Sequence, residues 1–314
     1  MKARALWVVA PGRVELRDEE VTAGPGEVVV ETEVSGISRG TEALVLRGGV
    51  PEGERARMRA PLQGGEFPFP VKYGYSAVGR LAGGVRVFVL HPHQDRFAVS
   101  ETMVVAVPAG VPSKRAVLAA NMETALNVVW DGGAAPGDRI AVVGGGVVGA
   151  LVAWLCGRLP GAEVTLVDVN PARAAVAAAL GIAFARPEAA PEGCDLVVHA
   201  SASADGLATA LGCAGEEAVV VEASWYGDRA VAVPLGGAFH SRRLRIIGSQ
   251  VGQVPPGRRA RWPRRRRMEA ALGMLADPVL DVLISGETGF EALPGRYAAI
   301  LDDPGTLCHV VRYP

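Results

Sequence analysis

The chain has 314 residues, 49% of them hydrophobic, and a formal net charge of −1. That length accommodates two domains, each with its own core, and the balanced charge argues against a general nucleic-acid binder. Four cysteines (Cys156, Cys194, Cys213 and Cys308) show neither pairing nor C-x-x-C spacing, which argues against a disulfide framework and a structural zinc lobe and implies a reducing, cytoplasmic setting.

The N-terminal apolar stretch is too short for a signal peptide. Over the first hundred residues, strand-like runs at 3–9, 13–17, 27–35, 76–81 and 86–90 alternate with Gly/Pro turns, which predicts a small, mostly antiparallel β domain. The stretch 47–72, rich in Pro, Gly and Arg, reads as a loop over a cleft. A helix is predicted over 113–131, opening at Ser113. From Arg139 the pattern changes: strands near 139–143, 163–168, 195–199, 217–223 and 244–248 alternate with helices near 147–158, 171–180 and 205–213, which predicts a parallel, doubly wound sheet. Residues 140–157 are apolar throughout and long enough to span a membrane, but glycines split them into a buried strand and a core helix, so no membrane partner is expected. Seven arginines fall within 258–267 and read as a solvated stretch opening a helix near 266–276, after which the tail returns to complete the first domain. The expected division is 1–117 with 257–314, and 118–256.

The junction of strand and helix at 139–158 carries the chemistry. Gly144, Gly146 and Gly149 fit G-x-G-x-x-G: the first for a tight turn, the second for backbone approach to a pyrophosphate, the third for helix–strand packing. A pyrophosphate would rest on the free N–H groups where Val147 and Val148 open the helix. Asp168 follows Gly149 by 19 residues, at the tip of the second strand, where a carboxylate accepts ribose hydroxyls. It would repel a 2′-phosphate, so NAD is expected over NADP, with Arg173 partly offsetting that repulsion. A β domain ahead of such a sheet creates a cleft at the carboxyl ends of the strands.

The chain resembles the medium-chain dehydrogenase/reductase superfamily over essentially its whole length. The resemblance rests on Ser-Gly-Ile-Ser-Arg-Gly-Thr-Glu (35–42), Gly-Tyr-Ser-Ala-Val-Gly (74–79), Glu-Thr-Ala-Leu (123–126) and the glycine motif with Asp168. The first box is similar to that of the branch typified by bacteriochlorophyllide a dehydrogenase, which oxidises a hydroxyethyl group on a chlorin ring. The resemblance implies an α/β protein with a GroES-like β-rich catalytic domain and a Rossmann domain, working as a homodimer through the edge strand near 244–251. Zinc-dependent members of the superfamily carry a cysteine where this chain has Ser38, and a His-Glu pair where it has Tyr75 and Ser76. Glu123 stands where sorbitol-type members place a ligand carboxylate. One ligand cannot hold a catalytic zinc, which needs three from the protein, so a zinc-independent enzyme with no metal is expected.

A carbonyl in the cleft must then be polarised by a hydrogen bond or a proton donor. Tyr75 offers a hydroxyl, against the alternative of interface packing. Ser38 offers another, against capping a turn. Glu123, in a largely apolar helix, is either catalytic or structural. His93 and His91 lie in a loop expected to border the cleft, where His93 could shuttle protons and His91 line the substrate pocket; a polar surface loop is the alternative. Thr124 is assigned behind the nicotinamide, Arg39 to the pyrophosphate or to solvent, and Ser201 to the cofactor. Trp225 and Tyr226, after the strand ending near Ala223, are expected to overhang the nicotinamide and shape the substrate pocket, with aromatic core packing the alternative for Trp225. The function these residues imply is hydride transfer between NAD(P) and a secondary alcohol/ketone or an activated double bond of a small molecule. The rivals are a dinucleotide-binding sensor without turnover and an epimerase or lyase that uses tightly bound NAD transiently.

Overall fold

Strands β1 (Lys2–Ala10) and β2 (Arg13–Glu20) open the chain as an antiparallel hairpin, in a computed structural model that describes residues 1–314. The chain divides into two units, Met1–Ala120 with Met268–Pro314, and Asn121–Arg267.

In the first unit, the 12-residue strand β3 (Glu27–Ser38) is the spine of the larger sheet. It pairs antiparallel with β6 (Ala77–Leu81) on one side, and on the other with β8 (Arg96–Ser100) and, further along, the C-terminal strand Cys308–Arg312. A register shift between Thr32 and Val34 marks an irregularity against β6. Beyond it Val34, Ser35, Gly36 and Ile37 are all buried, so a hydroxyl at Ser35 is carried into the interior. β7 (Arg86–Val89) and β9 (Val105–Ala106) extend the sheet, and Val30, Ala77, Val87, Val89, Phe97 and Val99 form its apolar core.

The stretch 47–72, expected as a loop, is partly sheet: β4 (Gly64–Gly65) and β5 (Val71–Lys72) pair onto β1 in a four-stranded sheet. Two-residue strands carry too little alternation to show in a sequence. The helix expected over 113–131 is two, Ser113–Ala116 and Ala119–Gly132. The Val117 carbonyl, at the break, accepts the Ser76 hydroxyl.

The second unit contains β10 (Arg139–Val143), β11 (Glu163–Val167), β12 (Ala183–Ala185), β13 (Cys194–His199), β14 (Ala214–Glu222) and β15 (Arg245–Gly248). All are parallel, in the order β12-β11-β10-β13-β14-β15. This is the 3-2-1-4-5-6 order of the doubly wound dinucleotide fold, with its switch point between the first and fourth strands. Ile140 to Val143 are at most 4% exposed, as expected for a strand covered on both faces. Helices Val147–Cys156 and Ala204–Cys213 follow β10 and β13. The apolar run 140–157 is thus strand and helix, and no helix is long and apolar enough to cross a membrane.

Residues 257–267 group with this unit rather than with the first. Trp262 packs on Trp130 with ring centroids 4.8 Å apart, and Arg267 is buried, not solvated as its arginine-rich surroundings suggested. Its guanidinium donates to Glu123 Oε1 at 3.0 Å, to the Val251 carbonyl at 2.6 Å, and to Asn127 Oδ1.

Candidate functional site

In the second unit the site grows from the turn after β10. Gly144 has φ +113°, and a Cβ on it would stand 2.7 Å from the Ala200 carbonyl carbon. A Cβ on Gly149 would stand 1.9 Å from the Gly144 carbonyl oxygen. At Gly146, the residue capping helix Val147–Cys156, nothing lies within 4 Å of that position, and the residue is exposed. The first and third glycines are therefore packing requirements, and the second leaves open space in front of the helix N-terminus, where Val147 and Val148 are half-buried.

Asp168 follows the last residue of β11 and accepts from Gly145 N at 2.6 Å and Asn170 N at 2.7 Å. Its carboxylate braces the glycine turn while keeping lone pairs for further donors. Arg173 packs against the same turn: its Cγ lies 3.1 Å, and Asp168 Oδ2 3.2 Å, from where a Gly145 Cβ would stand.

At the ends of β13 and β14 a second cluster closes over Ser201. His199 Nε2 lies 2.6 Å from Ser201 Oγ, and His199 Nδ1 lies 2.7 Å from Glu222 Oε2. Tyr226 donates its hydroxyl to Glu222 Oε2 at 3.0 Å, and Ser224 N donates to Oε1 at 2.7 Å. Burial alone would raise the Glu222 carboxyl, but the bonds from His199 and Ser224 outweigh it and hold it below the usual carboxylate range. Burial beside Glu222 pushes the Tyr226 hydroxyl well up, so it remains a donor. Trp225 is half-buried in the same segment. Sequence reasoning named Ser201 and Tyr226 but missed the pair that joins them. A signal existed: Val-Val-His-Ala-Ser (197–201) and Val-Val-Glu-Ala-Ser (220–224) repeat one pattern, and His199 and Glu222 are register partners on adjacent parallel strands.

In the first unit, Tyr75 donates to Ser38 Oγ at 2.5 Å. Ser38 precedes helix Arg39–Leu46, yet its side chain makes no capping bond; its N–H donates instead to Glu42 Oε1 at 2.7 Å. Glu42 is 1% exposed and its other oxygen faces His93 Nε2 at 3.0 Å and the Tyr297 hydroxyl at 2.6 Å. His93 Nδ1 lies 2.7 Å from Ser35 Oγ, which lies 2.9 Å from the Tyr313 hydroxyl. Burial pushes the Tyr75 hydroxyl up to about 12, against lowering bonds from Ser38 and Thr41. It is a proton donor at neutral pH.

The loop 91–94 is interior rather than a polar surface. His91, His93 and Gln94 are at most 5% exposed. His91 stacks on Phe97 at 3.6 Å, and burial drives its imidazole down to about 3. Both ring nitrogens of His93 are engaged, so it reaches other groups only through Glu42 or Ser35. Arg39 Nε donates to the Leu301 carbonyl at 3.0 Å. Glu123 is committed to Arg267; burial lifts its carboxyl above the ordinary range, and the guanidinium partly offsets that. Thr124, on the same helix, is half-buried.

The donor set does not suit zinc. No three His, Cys, Asp or Glu side chains are grouped to hold a metal ion. Ser38 and Tyr75 present two hydroxyls bonded to each other. Burial raises all four thiols to about 11 or 12, leaving them un-ionised.

No protein-family model matches the chain, and no curated protein matches it. Solved structures do match across the whole fold. L-idonate 5-dehydrogenase of Escherichia coli superposes with a TM-score of 0.81 at 15% identity, covering 99% of this chain and 98% of its own. A Sinorhizobium meliloti protein described as a candidate zinc-binding dehydrogenase, bound to NADP, gives 0.78 at 18% identity with 99% of each chain covered. An Escherichia coli protein described as a short-chain alcohol dehydrogenase, complexed with NADH, gives 0.78 at 16% identity with the same coverage. The chain has the two-part fold of these dehydrogenases, a GroES-like β-rich unit and a Rossmann unit.

Proposed function

We propose that the chain is a zinc-independent, NAD(P)-dependent oxidoreductase of the medium-chain dehydrogenase/reductase type, acting on a small molecule that bears a secondary alcohol or ketone, or an activated double bond. The observation that carries this reading is the division of labour among three glycines: two cannot bear a Cβ, and the one between them opens onto the helix N-terminus. The dinucleotide-bound neighbours support the same reading. The N–H groups at Val147 and Val148 would hold a pyrophosphate, and Asp168 the adenosine ribose, with NAD favoured and Arg173 leaving NADP accessible. Bound there, the nicotinamide supplies the hydride donor or acceptor.

The polarising group we assign to the Tyr75–Ser38 pair. Ser38 accepts from Tyr75, which polarises its own hydroxyl and strengthens it as a donor to a developing alkoxide. Glu42 fixes the Ser38 backbone, His93 and Tyr297 fix Glu42, and Ser35 holds the other nitrogen of His93. The absence of a ligand-like donor set supports zinc independence, and the Gly-Ile-Ser-x-Gly-Thr-Glu box favours the branch that works on hydroxyethyl side chains.

NADH oxidation measured against a panel of ketones and enones tests the proposal. At least one compound is expected to turn over, with the Tyr75→Phe variant lowering kcat on ketones by about 100-fold and leaving NADH binding unchanged. If NADH binds but no carbonyl compound consumes it, a dinucleotide-binding protein without turnover is the correct account.

A further inference from the structure

We propose that Ser201, His199 and Glu222 form a nucleophilic triad that accepts acyl groups from activated esters, an activity separate from hydride transfer, on a serine that lies beside the Gly144 turn. The three side chains stand in the order the chemistry requires. The serine oxygen meets Nε2 of the imidazole at 2.6 Å, and the carboxylate meets Nδ1 at 2.7 Å. A carboxylate on Nδ1 fixes the tautomer that leaves Nε2 free to take the serine proton, and it stabilises the imidazolium that results.

The surroundings distinguish this arrangement from a chance contact. His199 is fully buried, whereas Ser201 is exposed, so the base is shielded and the nucleophile accessible. The Glu222 carboxylate is held by three partners: His199, the Ser224 N–H and the Tyr226 hydroxyl. Ala202, next to the nucleophile, has φ +53°, a conformation costly for a residue with a Cβ. The turn into helix Ala204–Cys213 is therefore held in a strained geometry that presents Ser201. Within that helix Gly206 is a glycine for a specific reason. A Cβ there would stand 2.1 Å from Ser201 Oγ and 2.9 Å from His199 Nε2, so any other residue would break the serine–histidine contact. A glycine in a helix costs about 1 kcal/mol relative to alanine. Its presence keeps room for this pair.

The reaction balances with an ester and water alone. Ser201 Oγ bonds to the acyl carbon as its proton passes to His199 Nε2. The ester C–O bond then breaks, and the alcohol leaves with that proton. Water then bonds to the acyl carbon as its proton passes to His199 Nε2, the bond from that carbon to Ser201 Oγ breaks, the carboxylic acid leaves, and the proton returns to Oγ. Ser203 Oγ, 2.9 Å from Ser201 Oγ, accepts from Gly206 N and belongs to the helix cap; it is not the nucleophile.

An alkyl fluorophosphonate tests this directly, since the serine oxygen displaces fluoride at phosphorus and leaves a stable adduct. Purified full-length protein is treated without added nucleotide, and the adduct is located by peptide mass spectrometry. The adduct is expected on Ser201, absent in Ser201→Ala and retained in Ser203→Ala. His199→Gln is expected to slow labelling by about 100-fold, with circular dichroism confirming the fold of each variant. Equal labelling of wild type and Ser201→Ala, or no adduct on Ser201 in folded wild-type protein, overturns the proposal. So does His199→Gln labelling at the wild-type rate while folded.

Discussion

At the scale of single residues, burial decides what each titratable group can do. His91 shows this most clearly. Its imidazole is stacked on Phe97 and burial drives it down to about 3, while in the unfolded chain it titrates near 6.5. Between those values the unfolded state binds the additional proton, so stability falls as pH falls from about 6.5 toward 3. This group alone is expected to cost about 2 kcal/mol by pH 5. Urea denaturation at pH 7 and pH 5 should show that loss in wild type and a smaller one in His91→Gln. Tyr75 moves the other way: a hydroxyl raised to about 12 stays protonated, so it should impose no alkaline loss of activity below pH 10. These environments were not legible in the sequence. Histidines on either side of Pro92 read as a loop bordering the cleft or as a polar surface loop, and only the strand pairing on either side takes them inside.

At the scale of elements, the glycine turn and the Glu123–Arg267 pair give opposite kinds of prediction. Gly146→Ala fills open space in front of the helix and should leave the melting temperature unchanged while weakening NADH binding at least tenfold. Gly149→Ala forces a Cβ into the Gly144 carbonyl and should lower both. Arg267→Met leaves Glu123 buried and unpaired, for which a loss of about 3–5 kcal/mol in urea is expected. Arg267→Met with Glu123→Gln should recover much of it. The strands near 139–143, 163–168, 195–199 and 217–223 were legible because buried parallel strands are apolar runs, whereas the three-residue strand β12 (Ala183–Ala185) was missed, being too short to show a pattern. The burial of Arg267 was not, because seven neighbouring arginines look alike in sequence and only contact with Asn127, Glu123 and Val251 sets one apart. The serine–histidine–glutamate cluster lay hidden for a related reason: Glu222 is 23 residues from His199 in sequence and is brought beside it by parallel pairing of β13 with β14.

At the scale of the molecule, the order of the six parallel strands leaves β15 at an edge. An edge with Ile246 and Ile247 half-buried is a template for pairing, and we propose that a second copy covers it. Light scattering should return twice the 32.6 kDa chain mass, and placing a proline at Ile247 should return one. A fluorescence titration of the folded protein with NADH and, in parallel, NADPH asks whether this fold holds a nicotinamide dinucleotide at the Gly144–Gly149 turn. Saturable binding of one nucleotide per chain is expected, tighter for NADH because Asp168 would accept the ribose hydroxyls and repel a 2′-phosphate. Folded protein that binds neither nucleotide would contradict it.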